Sequence, residues 1–522
     1  MRSTEYNKRL FTLLSILASI FVYTGAVAIY FFAHGWRLDP AGEIFIRTGV
    51  LTVESDPFLA DLYIEGEEEG RTPKSTSLPV GNYDISVYRS GYVEWKKKVE
   101  VVDGKSTPVY PWLIREEILQ TNIFSLQDKE YIDSWINESR EYIYFLTRSP
   151  LPTGQLYRFE LYRFDINTAF WDLSSNPKIV LTFDSAKDTK VNILLSSNGL
   201  LGVLRIEDIA TKNYLLDSSK SMTLDNLIEL NISSFASYKM SWSRNNQYLM
   251  FDSKNDLISY DIQRGTRYLL LKKEEGEEYI WSTDEQGFFY KVEENIENEN
   301  ENVYSYLLIQ YQMDGSSSKT LVNNLYFQKD ARYIDSYQGD TGNGKFAPFT
   351  NSPQSTKSVG KLLGVRINQD AKGIYIKTET SSYWYNIGSK KYYLISPYSS
   401  ELIQFSPDMY KLIFKDTTGY GVFTFQKEDG DHTVEIGSKS ISGVDINTKN
   451  VNWLSNSSYI WYVKNNSMYI ADKDGDNNVE ILKDTNLFEY YVITMTGDKV
   501  YTFYSPESDT SDEIKIDSYQ IR

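Results

Sequence analysis

Residues 405–414 read FSPDMYKLIF: an aromatic residue, a short polar turn, then a strongly apolar strand. The same shape recurs as WINESREYIYFL from Trp135, LSSNGLLGVL from Leu195, WSRNNQYLMF from Trp242, WSTDEQGFFY from Trp281, INQDAKGIYI from Ile367, WLSNSSYIWY from Trp453 and MTGDKVYTFY from Met495. In chain order the anchors of these eight copies lie 60, 47, 39, 86, 38, 48 and 42 residues apart. Most copies run on into a third strand, such as LISYDIQ around Tyr260 or MYIADKDG around Tyr469, and often a fourth, such as RYLLL or VEIL. Helical periodicity is absent throughout this region. A repeat of about 40–50 residues holding several short strands is the signature of propeller blades.

The fold class expected is therefore mainly β, with residues 121–522 forming a seven- or eight-bladed β-propeller. Eight is favoured because eight cores can be written out. The last strand, EIKIDSYQI, is expected to pair with the strand preceding Trp135 and so close the ring. Two polar stretches, residues 293–302 and 339–361, read as loops inside the 86-residue interval. The WSRNNQYLMF and FSPDMYKLIF copies resemble TolB-like and WD-repeat-like propeller repeats, with Phe405-Ser406-Pro407-Asp408 the close match.

Upstream, residues 49–105 alternate at strand spacing: Leu51 and Val53; Ala60, Leu62 and Ile64; Tyr83, Ile85 and Val87; Trp95, Val99 and Val101. This predicts four strands, each with one buried face, separated by turns at Ser55-Asp56-Pro57, an acidic loop at 66–70, Val80-Gly81-Asn82 and Ser90-Gly91. The segment resembles a PEGA domain, a small β module of bacterial and archaeal surface proteins. The match rests on Gly49, Pro57, Ala60, Ile64, Gly66, Gly70-Arg71-Thr72-Pro73, Leu78, Gly81-Asn82-Tyr83, Gly91-Tyr92 and Trp95. It departs at the name-giving tetrapeptide, which reads Pro57-Phe58-Leu59-Ala60, with leucine where the family has glycine. The resemblance implies a binding or spacing module of the envelope and transfers no catalytic residue. Residues 106–120, with two prolines and no alternation, read as a linker.

Residues 10–32, LFTLLSILASIFVYTGAVAIYFF, hold 23 residues and no charge. As a helix of about 35 Å they exceed a bilayer's apolar core of about 30 Å. Arg2, Lys8 and Arg9 precede the span against Glu5, so residues 1–9 are expected in the cytoplasm and residues 33–522 outside, beginning with a spacer at 33–48. The span is longer than the apolar core of a signal peptide, and cleavage after Ala26-Val27-Ala28 would leave an apolar IYFF terminus, so a retained signal-anchor in the cell membrane is expected.

The net charge of −17 argues against nucleic acid as a partner, because phosphate binding needs concentrated Lys and Arg. With no cysteine and two histidines, His34 and His432, thiolate sites, disulfides and histidine-based zinc or triad chemistry have almost no material. Residues 339–345, GDTGNGK, approach a phosphate-binding loop but end in Phe346 where Ser or Thr is required, and read as a surface loop. Asp472, Asp474 and Asp476 have the carboxylate density of a calcium loop. Their Gly475 comes too early for an EF-hand, so a hairpin turn is the first reading and a metal site the second. Ser282 to Gly287 suggests the Asp-box turn of sialidases but places its glycine one residue late. No GxSxG occurs.

The function expected is a membrane-anchored extracytoplasmic binding or scaffold protein of the cell envelope, with the propeller contacting protein or glycan. No enzyme activity, no catalytic residue and no cofactor is expected. The alternative is a polysaccharide hydrolase using carboxylates at the propeller centre.

Overall fold

The computed structural model describes residues 2–33, 36–37, 46–152, 154–166, 176–230, 239–273, 280–283, 288–294, 303–328, 336–338, 361–368, 372–425, 436–504 and 513–522. The chain divides into two compact units, one containing Met1–Glu117 and the other Ile118–Phe425 with Ile436–Arg522.

The first unit opens with one helix, Arg2–Ala33. Its window Thr12–Phe31 has a mean hydropathy of 2.0 and none of it is buried, so it is long and apolar enough to cross a membrane. Its polar side chains are neutralised locally: Ser19 and Thr24 hydroxyls each donate to the carbonyl four residues back, Ser15 and Ile20, at 2.9 Å.

Two small sheets follow. One pairs Ile46–Val53 with Lys74–Pro79 antiparallel and with Ser106–Val109 parallel; the other runs Glu67–Arg71, Asp61–Ile64, Gly81–Tyr88, Trp95–Val101 in spatial order. Leu51 and Val53 of the first meet Leu62, Ile85, Val87 and Trp95 of the second in one core. The alternating residues are thus the buried ones. Three expectations need correction. The four strands expected from alternation miss Lys74–Pro79, whose side chains are exposed or half-buried. The acidic loop at 66–70 is mostly an edge strand, Glu67–Arg71, whose side chains are exposed or half-buried and so left no apolar pattern to read. The linker at 106–120 begins as a strand, and Trp112, Leu113 and Ile114 are buried at 5%, 1% and 3% exposure. Pro108 is tolerated there because that strand pairs on one side only.

The second unit holds eight sheets among the described residues, each of four strands except two of five, all antiparallel but for Met222–Thr223, which pairs parallel with Lys178–Ser185 in the first. All eight sequence cores fall on the first hairpin of a separate sheet, as in Glu401–Phe405 with Lys411–Asp416 and Lys449–Trp453 with Tyr459–Lys464. The reason for the apolar run after each turn is double burial. In Tyr142–Pro150, Ile143 and Phe145 pack towards the last sheet, with Val492, Phe503 and Ile516, whereas Tyr144 and Leu146 pack towards the second, with Ile193 and Leu204. A strand buried on both faces loses its alternation and reads as continuous apolar sequence.

Similar clusters join the second sheet to the third, the third to the fourth, and so on to the seventh. The last sheet is completed from the other end of the unit. Leu119–Gln127 pairs antiparallel with Glu513–Gln520, and Asp517 accepts from the amides of Gln120 and Asn122 at 2.7 and 2.8 Å. The expected closing pairing is therefore present, with Leu119–Gln127 as the strand before the one carrying Trp135.

The polar turns between first and second strands have a shared chemistry. Ser196, Ser243 and Ser406 each donate from Oγ to the Oδ1 of the residue two further on, Asn198, Asn245 and Asp408, at 2.5–2.8 Å. Neighbouring turns are then linked: Asn137 Nδ2 to the Ser197 carbonyl at 2.9 Å, Ser197 N to Asn246 Oδ1 at 2.7 Å, and Asp408 N to Ser457 Oγ at 2.9 Å. These side chains satisfy backbone groups that a tight turn leaves without a ladder partner.

Candidate functional site

A cleft of about 440 Å³ lies between the first two sheets of the second unit. Ile132 and Arg148 come from the first sheet, and Lys187 to Asn192, Arg205 and Glu207 from the connection to the second sheet and its first two strands. The register sets Lys190 opposite Glu207 and Asn192 opposite Arg205, which places all four side chains on one face.

Both arginines carry their own carboxylate. Arg148 forms a two-pronged pair with Glu130, Nε to Oε2 at 2.7 Å and Nη2 to Oε1 at 2.5 Å, and its Nη1 donates to the Lys187 carbonyl at 2.6 Å. The pair holds the Glu130 carboxyl below its ordinary range, chiefly through that hydrogen bond, and raises Arg148 for the same reason. Arg205 Nε lies 2.7 Å from Glu207 Oε1. Among the described residues Lys187 and Lys190 take part in no ion pair. The Arg148 and Lys187 cations each lie 5.8 Å from the centre of the Tyr157 ring. The connection that displays the lysines is tied down by buried Thr189, whose hydroxyl is 2.8 Å from Ser185 Oγ and whose N–H donates to the Ala186 carbonyl at 3.2 Å. Sequence reading missed this cleft, since no single segment holds more than a few of its charges.

The aspartates singled out in the sequence sit in a turn. Asp472 ends the strand Ser467–Asp472, and its carbonyl and N–H bond to Gly475 N at 2.8 Å and Asp476 O at 2.9 Å. Asp472 Oδ2 accepts from Asn477 Nδ2 at 3.2 Å, and the Asp474 carbonyl accepts from Ser442 N at 2.9 Å. Among the described residues no group of three His, Cys, Asp or Glu is arranged to hold a metal ion. Residues 339–345, residues 284–287 of the Asp-box-like turn, and both histidines lie outside the described residues.

Arg140, in the first of the linked turns, is 8% exposed, and its guanidinium lies 5.1 Å from the centre of the Trp461 ring. Burial lowers its pKa to about 10, and its Nη1 has no hydrogen-bond partner among the described residues. This buried cation carried no sequence signal, because an isolated arginine in a polar turn is ordinary.

Residues 48–115 match the PEGA domain family. No curated protein matches the chain by sequence. Among solved structures it is similar to Hsv2 of Kluyveromyces lactis, at 9% identity over 76% of this chain and 98% of that one, with a TM-score of 0.34. It is also similar to dipeptidyl peptidase 4 of Porphyromonas gingivalis, at 9% identity over 73% of this chain and 57% of that one, TM-score 0.40. A structure from a study of two prolyl endopeptidases is similar at 8% identity over 76% of this chain and 55% of that one, TM-score 0.38. The chain spans a little over half the length of each peptidase chain. These peptidase neighbours overturn the expectation that the chain is no enzyme, while their low likeness assigns it no activity.

Proposed function

We propose that this is a single-span protein of the cell envelope whose second unit is an eight-bladed, TolB-like or WD-repeat-like β-propeller used for binding, held outside the cytoplasm on the PEGA-like module. The observation that carries this reading is the succession of eight small sheets, each packed on the next along the chain wherever a shared core is described, with the first strand of the unit completing the last sheet. Such a disc is rigid and offers loop-built faces for a protein or glycan partner. The exposed apolar helix supports one membrane span, and the basic residues before it support a cytoplasmic N-terminus.

Because the chain has no cysteine, its orientation is testable with single introduced thiols. In intact spheroplasts a membrane-impermeant maleimide should label Ser219→Cys and spare Ser3→Cys until the membrane is opened. The reverse pattern refutes the orientation. Photo-crosslinking from exposed positions of the second unit in intact cells should then trap envelope protein or glycan; adducts confined to cytoplasmic proteins would refute the binding role.

A further inference from the structure

We propose that the cleft between the first two sheets binds a compact oxyanion, the carboxylate or phosphate group of a small ligand. The chain carries a net −17, yet four cations converge here: Arg148, Lys187, Lys190 and Arg205. Glu130 pairs with Arg148 and Glu207 with Arg205, Glu130 also feels Lys187 and Asp188 also acts on Arg148, so four cations face three carboxylates and the two lysines stay outside any ion pair among the described residues. Glu207 faces Lys190 across the ladder but is turned to Arg205 instead.

Arg148 is held in place before any ligand arrives, by Glu130 and the Lys187 carbonyl, so binding need not order it. The lysines project from a connection fixed by Thr189. An oxyanion seated between them accepts charge-assisted hydrogen bonds from the ammonium groups and offsets repulsion among the cations. The volume of about 440 Å³ suits a monosaccharide-sized molecule and is too small for a folded partner. The inference is independent of membrane orientation, and a failed labelling experiment leaves it standing.

The test is calorimetric titration of the full chain in uncharged detergent with three probes: inorganic phosphate, glucuronate, and glucose as the uncharged twin of glucuronate. Phosphate or glucuronate should bind, glucose should not, and affinity should fall as sodium chloride is raised. Binding of phosphate alone assigns a phosphate ligand; binding of glucuronate assigns a carboxylate. The double variant Lys187→Glu/Lys190→Glu should lose about tenfold or more in affinity, whereas Lys220→Glu, at an exposed position outside the cleft, should not. Circular dichroism shows that each variant is folded. The proposal is overturned if neither anion binds, if glucose binds as well as glucuronate, or if the folded double variant binds like the parent.

Discussion

Replacing Gly475 by alanine isolates one close approach that the second unit depends on. Gly475 has φ +88°, and a Cβ built there would lie 2.2 Å from the Ser442 carbonyl oxygen and 2.5 Å from its nitrogen. Gly443 has φ +76° with nothing within 4 Å of its would-be Cβ, and provides the control. At both sites alanine suffers the left-handed backbone penalty, about 1 kcal/mol. Only at 475 must backbone also retreat by roughly 1 Å to reach ordinary contact distance, an overpacking cost of about 1–3 kcal/mol. That retreat strains the hydrogen bond from Ser442 N to the Asp474 carbonyl, worth about 1 kcal/mol. Gly475→Ala should therefore cost about 3–5 kcal/mol and Gly443→Ala about 1 kcal/mol. Urea unfolding of the full chain in detergent, followed by tryptophan fluorescence, measures the difference. Equal midpoints for the two variants would refute the packing of the 472–476 turn against Ser442.

Leu59 stands at φ +61° where the PEGA pattern has glycine, and it is 63% exposed, so Leu59→Gly relieves strain at little cost in burial. Thermal unfolding of the first unit should show a gain of about 0.5–1 kcal/mol after the added chain entropy of glycine is deducted; a loss would contradict the strained conformation. Arg140→Met exchanges a buried cation on Trp461 for an apolar chain of similar length, and should leave stability unchanged or raise it by about 1–3 kcal/mol in the same urea assay. A large loss would show that the charge itself is needed. Burial pushes Tyr144, Tyr385, Tyr462, Tyr490 and Tyr501 up to about 12, so their contribution is complete below pH 10 and is lost as pH rises through 12. Arg140, lowered to about 10, acts in the opposite sense, as do Arg366 and Lys129, which burial also lowers, but the raised tyrosines outnumber these three. The melting temperature should hold up to pH 10 and fall above it; a melting temperature unchanged up to pH 12 would count against that burial.

How much of this was legible in the sequence follows from which faces are buried. The second strand of each sheet is buried along half or more of its described length, so runs such as YIYFL and YIWY stand out and locate all eight sheets. The strands of the first unit that bury one face, such as Asp61–Ile64 and Trp95–Val101, keep their alternation and were equally readable, whereas Lys74–Pro79, with no fully buried side chain, was not. Glu67–Arg71 was not, since an edge strand with exposed charges has the composition of a loop. The cleft was hidden for another reason: Ile132, Arg148, Lys187 and Arg205 are distant in sequence, and only sheet packing brings them together. The three aspartates near 472 looked like ligands because sequence shows carboxylates and conceals the backbone bonds that shape their turn.

The outer strand of the final sheet is also among the first parts of its unit to be synthesised. Gln127 and Glu513, whose side chains touch across that pairing, are 386 residues apart. At ribosomal speeds of about 5–20 residues per second, the early strand waits roughly 20–80 seconds with its hydrogen-bonding edge bare. A nascent chain interrupted anywhere in that window is left with an adhesive border rather than a harmless shortfall, so premature termination should yield aggregates instead of smaller working discs.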